Sequence, residues 1–172
     1  MSNETTPLIE AIEKNNIDEV RRLIEAGAGV NTTYEFETAY GTSDNPSWCT
    51  EVQTALMLAA YKSEKEIVEL LVEHGADVNN TDLYGATALM IASNNISGTQ
   101  IVEYLIEHGA DVNAVNQIGE SALFYAACVQ GSKTAKVLID HGADINIVNE
   151  KGESFVQFAK RHGNITIINF CN

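Results

Sequence analysis

Three histidines recur at a fixed interval in this chain, and imidazole is the side chain that most often ligates zinc or acts as a general base. His74, His108 and His141 each stand directly before a glycine, at intervals of 34 and 33 residues. A zinc ion needs its ligands at about 2 Å, whereas packed helices lie about 8–10 Å apart. Histidines at equivalent positions of neighbouring units therefore cannot share one ion unless their side chains bend together. We expect a structural role beside the helix-ending glycine, and no metal.

The three cysteines show no pattern that is typical of a catalytic or metal-binding site. Cys49, Cys128 and Cys171 form no C-x-x-C pair, which is typical of reduced thiols in an intracellular protein. Cys49 is a candidate reactive thiol, but nothing in the sequence identifies a base to activate it, and Cys128 is interpreted as a groove residue or a small core filler. No G-x-S-x-G, H-E-x-x-H, P-loop or G-x-G-x-x-G string is present. The sequence predicts a protein that is not an enzyme and has no catalytic residue and no cofactor.

The charge balance restricts the partners. The 172 residues include 24 Asp and Glu against 10 Lys and Arg, a formal net charge of −14. Nucleic-acid binding needs clustered Lys and Arg that displace counterions, and an anionic membrane surface would repel such a chain. The N-terminus shows no secretory signal, and the longest apolar run, from Ala55 to Tyr61, is far shorter than a membrane-spanning helix. We expect a cytoplasmic monomer whose partner is another protein with a basic surface.

Internal repetition is the strongest signal in the sequence. The string G-A-D-V-N begins at Gly75 and at Gly109, G-A-D-I-N begins at Gly142, and a degenerate copy, G-A-G-V-N, begins at Gly27. A second string has the same period of 33 or 34 residues: T-A-L begins at Thr54 and at Thr87, and S-A-L begins at Ser121. A weak copy, S-F-V, begins at Ser154, and T-P-L at Thr6 opens the series.

Each unit fits two helices. The first begins after the Thr or Ser, whose hydroxyl is a good helix N-cap. The second has apolar residues at i, i+3 and i+4 on one face, and the following glycine ends it in a left-handed cap. The apolar columns are Val20, Val68, Val102 and Ala135; Leu23, Leu71, Leu105 and Leu138; Ile24, Val72, Ile106 and Ile139. The polar residues of the end units, Lys160, Arg161, His162 and Asn164 among them, are expected to form solvated outer faces.

The pattern closely resembles the ankyrin repeat, with its T-P-L-H-x-A and G-A-D-V-N signatures. The resemblance implies an all-α solenoid of stacked helix-turn-helix units with β-turn or hairpin tips, forming a single domain over residues 1–172. The repeats lie approximately at 4–31, 50–79, 82–113, 116–146 and 149–172. The chain departs from the family where Met57, Met90 and Phe124 replace the His of T-P-L-H. We expect apolar packing at these positions instead of the polar contact that the His usually makes across T-P-L-H. Some members of the family are hydroxylated at the Asn of D-V-N, a position matched by Asn79, Asn113 and Asn146, although a turn-stabilising role suffices to explain these residues.

A 15-residue insertion within residues 32–53 separates the first two repeats. It contains four of the chain's aromatic residues and several acids but no Lys or Arg, and Tyr34 and Phe36 alternate with Glu35 and Glu37, which favours an extended hairpin. Long insertions are often functional, and amphipathic aromatics are favoured anchors in binding sites. Two interpretations stay open: a loop that contacts a partner, or rings that cover the apolar edge of the first repeats.

The acidic excess is concentrated around this insertion. Residues 32–111 carry 13 acidic and two basic side chains, whereas residues 112–172 carry five of each. A region of one sign steers encounter with an oppositely charged partner, although the outer-helix acids are also explained by solvation alone. The resemblance places binding at the turn tips and along the first helices, positions that include Glu13 and Gln53. With the insert aromatics, the predicted partner-binding residues are Tyr34, Phe36, Tyr40, Trp48, Glu51, Tyr61, Leu83, Tyr84, Asn94, Asn95, Gln117, Ile118, Glu120 and Cys128.

These observations predict a non-catalytic protein–protein interaction module that binds through its concave groove, its turn tips and its acidic aromatic insert. Its net charge suggests an inhibitor of a basic protein. The alternative is an adaptor or scaffold that recognises a mainly apolar partner surface and is indifferent to charge. The repeat is a scaffold, so the partner cannot be named from it.

Overall fold

The computed structural model describes residues 6–42, 45–129 and 132–164; for residues 37–42 and 45–50 it describes the backbone but not the side chains. Over these residues the chain forms nine helices, four pairs followed by a single ninth helix, with one two-stranded sheet between the first and second pairs. The helices are α1 Pro7–Glu13, α2 Ile17–Glu25, α3 Ala55–Lys62, α4 Lys65–Glu73, α5 Ala88–Ser93, α6 Thr99–Glu107, α7 Ala122–Cys128, α8 Ser132–Asp140 and α9 Phe155–Arg161. The strands are β1 Thr33–Thr42 and β2 Asn45–Thr54. The all-α solenoid expected from the repeats is confirmed. Among the described residues the insert forms the one two-stranded sheet, and the later tips are closed by single antiparallel bridges, Thr81–Thr87, Val115–Ser121 and Val148–Ser154.

Hydroxyl caps start most of the first helices. The Thr54 side chain accepts a hydrogen bond from the Met57 N–H at 3.2 Å, and Thr6, Thr87 and Ser154 do the same in their units. The expectation of a cap at Ser121 is wrong: its hydroxyl is buried and has no hydrogen-bond partner among the described residues. The Phe124 N–H donates instead to the Ser121 carbonyl oxygen, at 2.9 Å. That backbone bond supplies the acceptor that the hydroxyl would have supplied.

The second helices end as predicted. Gly75 adopts φ +88°, and the glycines that end α2, α6 and α8 adopt similar angles. The Gly75 N–H donates to the Val72 carbonyl oxygen and the Ala76 N–H to the Leu71 carbonyl oxygen, which is a Schellman motif that satisfies the last carbonyls of α4.

The core is a continuous column of apolar side chains that runs through the stack. Val68 and Leu71, with their equivalents in α6 and α8, are fully buried. Met57, Met90 and Phe124, which stand where the family has His, are buried too. The Phe124 ring lies edge-on to the rings of Phe155 and Phe158, with centroids 6.1 and 5.2 Å apart. The apolar packing expected at these three positions is confirmed.

Asparagine side chains connect each unit to the next. The Asn79 amide donates to the Gly109 carbonyl oxygen at 3.0 Å, while its own side-chain oxygen accepts from the Asp111 N–H at 2.8 Å. Asn31 and Asn113 make the same pair of bonds to the unit that follows each of them. The Asn146 amide donates instead to the Asp144 carboxylate of its own turn.

Asn164 does not form a solvated outer face. It is buried, and its side-chain amide donates to the Ala127 carbonyl oxygen at 3.4 Å in the preceding unit. A polar side chain at the end of α9 is therefore used to join two repeats rather than to face water.

Candidate functional site

The hairpin places Tyr34 and Phe36 on one face. β1 and β2 pair antiparallel with Tyr34 opposite Gln53 and Phe36 opposite Glu51. Since side chains alternate between the two faces of a strand with a period of two, these four lie on the same face. β2 continues into α3 without a linker, because Thr54 is both the last strand residue and the N-cap of the helix. The predicted extended hairpin is confirmed, and it is fixed to the second repeat.

That face forms one wall of a groove of about 390 Å³, which we call the aromatic groove. Its described lining residues are Glu13 from α1, Leu58 and Tyr61 from α3, and Tyr34, Phe36, Glu51 and Gln53 from the hairpin. The volume is within the range of small ligand pockets. Four predicted site residues, Tyr34, Phe36, Glu51 and Tyr61, are thus brought together.

The rings in the groove are ordered by contact with one another and with the core. Tyr34 and Phe36 stack, with centroids 5.3 Å apart and an interplanar angle of 22°. The Tyr34 hydroxyl donates to the Gln53 side-chain oxygen at 3.2 Å, and the Tyr34 ring packs against the hydrophobic core. Tyr61, by contrast, is 69% exposed at the end of α3. Tyr34 therefore covers apolar surface, while Tyr61 presents its ring to solvent.

The electrostatic character of the groove is negative. Burial, together with the nearby carboxylates of Glu13 and Glu51, raises the pKa of the Tyr34 phenol to about 12. Both carboxylates line the groove, and none of its described lining residues is Lys or Arg. The groove therefore disfavours an additional negative charge and favours a positive one.

The turn tips of the third and fourth units form a second exposed surface, made of apolar residues. Leu83 is 54% exposed, and Tyr84 and Ile118 are exposed as well. The backbone under them is fixed: the Gln117 N–H donates to the Tyr84 carbonyl oxygen and the Gln117 amide to the Leu83 carbonyl oxygen, at 2.9 and 2.7 Å. Gln117, a predicted site residue, thus has its amide engaged in joining two tips.

Three other predicted residues lie at or just beyond the C-terminal ends of the first helices, with Asn94 and Asn95 following α5 and Cys128 ending α7. Asn94 is exposed, whereas the Asn95 amide donates to the Tyr61 carbonyl oxygen at 3.3 Å and so joins the second and third units. Cys128 is exposed at the end of α7, where partial burial raises the pKa of its thiol and the Glu120 carboxylate raises it further. The Cys128 environment therefore lacks the lowered pKa of a reactive thiolate.

Two predicted residues have side chains outside the part that the structure describes. Tyr40 and Trp48 lie on β1 and β2, where Tyr40 is opposite Ser47 and Trp48 opposite Ala39. Cys49 is on the same segment, and Cys171 lies beyond the described residues.

Some exposed or lining residues gave no clear signal in the sequence. Leu58 lines the groove from α3 but was not expected there, because in the sequence it is only one member of the apolar run from Ala55 to Tyr61. Ile96 is 75% exposed in the loop between α5 and α6, in the unit that is one residue longer than its neighbours. Its lack of a counterpart in the other units left it without a periodic signal.

The recurring histidines have a structural role. The Nδ1 atoms of His74, His108 and His141 each lie 2.8 Å from the carbonyl oxygen four residues earlier. Because a carbonyl oxygen only accepts, Nδ1 carries the proton and the ring closes the last turn of its helix. Within the described residues, no group of three His, Cys, Asp or Glu side chains is arranged to hold a metal ion.

None of the helices in the described ranges combines the length and the apolar composition that crossing a membrane requires.

Comparisons with known proteins agree with the architecture. The family model for ankyrin repeats in three copies matches residues 39–116 and 100–170. The chain is 36% identical over 81 residues to the human mitochondrial disaggregase, covering 47% of this chain and 9% of that protein. It is 36% identical over 86 residues to the human 2-5A-dependent ribonuclease, covering 50% and 10%. It is also 31% identical over 91 residues to a putative ankyrin repeat protein of Rickettsia bellii, covering 48% and 38%.

The chain thus spans about a tenth of each human relative and less than half of the bacterial one. The human matches are partial and fall on repeats, so the activities in those two names belong to those proteins. Ankyrin repeats are in general non-catalytic modules for protein–protein interaction. With the family model matching well over half of its length, the chain belongs to the ankyrin-repeat family.

Proposed function

We propose that this chain is a non-catalytic binding module that recognises a protein with a basic surface through the aromatic groove and the adjoining first helices. The observation that carries the proposal is the convergence of Tyr34, Phe36 and Tyr61 with the carboxylates of Glu13 and Glu51 in one groove. Exposed aromatic residues are frequent binding hot spots, and acidic neighbours select a partner of opposite charge.

The wider charge distribution supports the same partner. Most of the chain's net charge of −14 falls on residues 32–111, which include the hairpin and the second and third units. Such a field speeds association with a cationic surface. A binder that covers a cationic site would act as an inhibitor of the protein that uses that site. The sparse cysteines suit a reducing compartment such as the cytoplasm, and the strong net charge favours a monomer.

The exposed tips favour a second candidate, an adaptor for a mainly apolar surface. Leu83 and Ile118 present apolar side chains from adjacent tips, and neither is among the described lining residues of the aromatic groove. A partner that docks on these tips would depend little on charge. The two candidates therefore differ in their site and in their response to salt.

Site-specific photocrosslinking tests the proposal. The full chain carries benzoyl-phenylalanine at Tyr61 in one sample and at Val148, an exposed tip residue of the last unit, in the matched control. Both are irradiated in an extract of the source cells, and the crosslinked protein is identified and then purified. We expect a crosslink from position 61 to a basic protein and none to that protein from position 148.

Binding of the purified partner is then measured by calorimetry. Tyr61→Ala, which changes an exposed ring and should leave stability unchanged, is expected to weaken binding about tenfold, whereas Ile118→Ala should not. The affinity should fall between about 50 mM and 500 mM NaCl. Dependence on Ile118 but not on Tyr61, with little effect of salt, would establish the adaptor instead, and the absence of a crosslink from position 61 would refute binding through the aromatic groove.

A further inference from the structure

We propose that the outer end of the first unit binds an asparagine of a protein partner, whose side-chain amide bonds to the Gly27 carbonyl oxygen and the Gly29 N–H. This surface, which we call the end face, consists of the turn of residues 27–32 and the start of α1. It shares none of the described lining residues of the aromatic groove. The end face is therefore a second interaction surface, and it does not depend on the proposed function.

The later units show what the corresponding turns bind. The Asn31 amide donates to the Gly75 carbonyl oxygen at 3.1 Å, and the Asn31 side-chain oxygen accepts from the Asp77 N–H at 2.8 Å. The turns of the next two units receive Asn79 and Asn113 in the same way. The receiving groups are always the carbonyl oxygen of the glycine and the N–H two residues later. A primary amide fits them because it offers a donor and an acceptor side by side.

The turn of the first unit already has the conformation of its counterparts. Gly27 adopts φ +91°, close to the angles of the three glycines that receive an asparagine. The Ala28 N–H donates to the Leu23 carbonyl oxygen at 3.0 Å and the Thr32 N–H to the Gly29 carbonyl oxygen at 3.2 Å, as the equivalent groups do in the second unit. The receiving groups are thus in place, and a ligand does not have to order them.

The first unit lacks only the asparagine that these turns receive. Among the residues that the structure describes, none donates to the Gly27 carbonyl oxygen and none accepts from the Gly29 N–H. Both glycines are exposed. The end face therefore offers an acceptor and a donor in the arrangement that binds an amide at each of the later turns.

An apolar cavity of about 240 Å³ adjoins these two groups. Gly29 is part of its described lining, and the apolar side chains of that lining are Pro7, Leu8, Leu23 and Ala28. In the later interfaces the asparagine follows an apolar residue, as Asn79 follows Val78, which is buried in the core. We infer that the partner presents its asparagine beside an apolar side chain that enters the cavity.

A second copy of this chain is a poor source of the asparagine. The equivalent residues of the first three units are already bonded to the unit that follows. Asn146 has its amide on Asp144 of its own turn. Beyond Asn146, however, α9 packs on α7 through the rings of Phe158 and Phe124. The fifth unit therefore takes the place that the first unit of a second copy would need.

Titration by nuclear magnetic resonance tests the assignment. The probe is Ac-Gly-Ala-Asp-Val-Asn-Ala-NHMe, which copies residues 109–114 and has no primary amide except that of its asparagine. The control peptides replace this asparagine by aspartate, which cannot donate to the Gly27 carbonyl oxygen, and by alanine. In about 0.15 M NaCl, we expect saturable shifts of the Gly29 amide and the Leu23 methyls, with a dissociation constant of about 1–10 mM. Both controls should bind at least fivefold more weakly.

Variants at Gly29 locate the contact. Gly29→Pro removes the N–H and should weaken binding of the asparagine peptide at least fivefold, whereas Gly29→Ala keeps the N–H and should leave binding unchanged. Glycolic acid in place of Gly29 turns the same amide into an ester. It removes the N–H without the backbone restriction of proline, so it gives the answer if the proline variant does not fold.

Several results would overturn the assignment. Equal binding of a control peptide, binding that survives loss of the Gly29 N–H, shifts centred on another surface, or no shifts at all would each exclude an asparagine site at the end face. Residues 2–5 of the chain include Asn3. If a variant without them bound the peptide at least fivefold more tightly, the chain's own N-terminus would be the occupant. Self-association that Gly29→Pro abolishes, seen by light scattering, would instead identify a second copy.

Discussion

The side-chain oxygen of Asn79 accepts a hydrogen bond of 2.8 Å from the backbone N–H of Asp111, which lies in the following unit. The Asn79 amide completes the pair by donating to the Gly109 carbonyl oxygen. One side chain therefore satisfies a donor and an acceptor of the next turn, and it holds two units in register. Asn31 and Asn113 repeat this arrangement, which explains why the asparagine recurs at the end of each G-A-D-V-N string.

Replacing Asn79 should therefore weaken the interface between two units. We expect Asn79→Ala to lower the free energy of unfolding by about 1–2 kcal/mol, because two inter-unit hydrogen bonds of modest net value are lost. The matched control is Asn146→Ala, which removes one bond within a single turn and should cost clearly less. Urea unfolding followed by circular dichroism measures both, and equal losses for the two variants would contradict the inter-unit role.

The loop between α5 and α6 depends on Gly98. A Cβ atom added at Gly98 would lie 2.1 Å from the Ala92 carbonyl oxygen, a backbone atom that cannot rotate away. We expect Gly98→Ala to lower the free energy of unfolding by about 2–4 kcal/mol, since relief of the clash requires the loop or the end of α5 to move.

Gly29 provides the control for that substitution. A Cβ at Gly29 would meet nothing within 4 Å, and its φ lies outside the left-handed region. Gly29→Ala should therefore be neutral or slightly stabilising. Thermal unfolding of both variants measures the difference, and an undisturbed melting temperature for Gly98→Ala would show that the close approach is not rigid.

The repeating features could be predicted because each has several independent copies in the sequence. The glycine at position 75 and the buried column at Val68 recur in unit after unit, so the period itself indicated the cap and the core. Features without copies could not be found in this way. Gly98 is required by its close approach to the Ala92 carbonyl oxygen, and Ile96 is exposed in a loop of the one unit that is 34 rather than 33 residues long.

In the candidate site, too, some features could be predicted from a sequence pattern and others could not. The alternation of Tyr34 and Phe36 with acids predicted an extended hairpin, and the strand pairing confirms it and places both rings on one face. That Leu58 and Glu13 complete a groove with these rings depends on how the hairpin lies against α1 and α3, which no local pattern encodes. Asn164 was expected in solvent because it is polar, yet its amide has a carbonyl partner in the preceding unit.

Ser121 and Ser154 occupy the same position in neighbouring units but differ in their hydrogen bonds. The Ser154 hydroxyl accepts from the Gln157 N–H at 3.4 Å, and the Gln157 side chain accepts from the Ser154 N–H at 2.8 Å, which is a capping box. Ser154→Ala should therefore cost about 1 kcal/mol of stability. Ser121→Ala removes a buried hydroxyl that has no partner among the described residues, so we expect no loss or a small gain. Parallel denaturant titrations compare the two; a loss at Ser121 equal to that at Ser154 would mean that its hydroxyl does cap α7.

Tyr34 should make the stability of the fold sensitive to alkaline pH. Burial, with the nearby Glu13 and Glu51 carboxylates, raises the pKa of its phenol to about 12 in the folded chain, against about 10 for an unfolded tyrosine. Below pH ~10 the phenol is protonated in both states and the stability is fully present. Between pH ~10 and ~12 the unfolded chain releases the proton while the folded chain retains it, so the stability falls as the pH rises through this window.

Tyr34→Phe isolates this contribution, because the other tyrosines titrate alike in both proteins. We expect the stability of the wild type relative to Tyr34→Phe to be constant up to pH ~10 and to decline between ~10 and ~12, as measured by urea unfolding at a series of pH values. Glu51→Gln should shift the ionisation of Tyr34 in the folded protein, followed as the difference in phenolate absorbance from the same variant carrying Tyr34→Phe, to lower pH, since it removes one of the negative charges that act on Tyr34. Tyr61→Phe, which changes an exposed ring in the same groove, is the control. A difference between wild type and Tyr34→Phe that does not change with pH would show that the Tyr34 phenol is solvated, and the aromatic groove would then be more open than its geometry indicates.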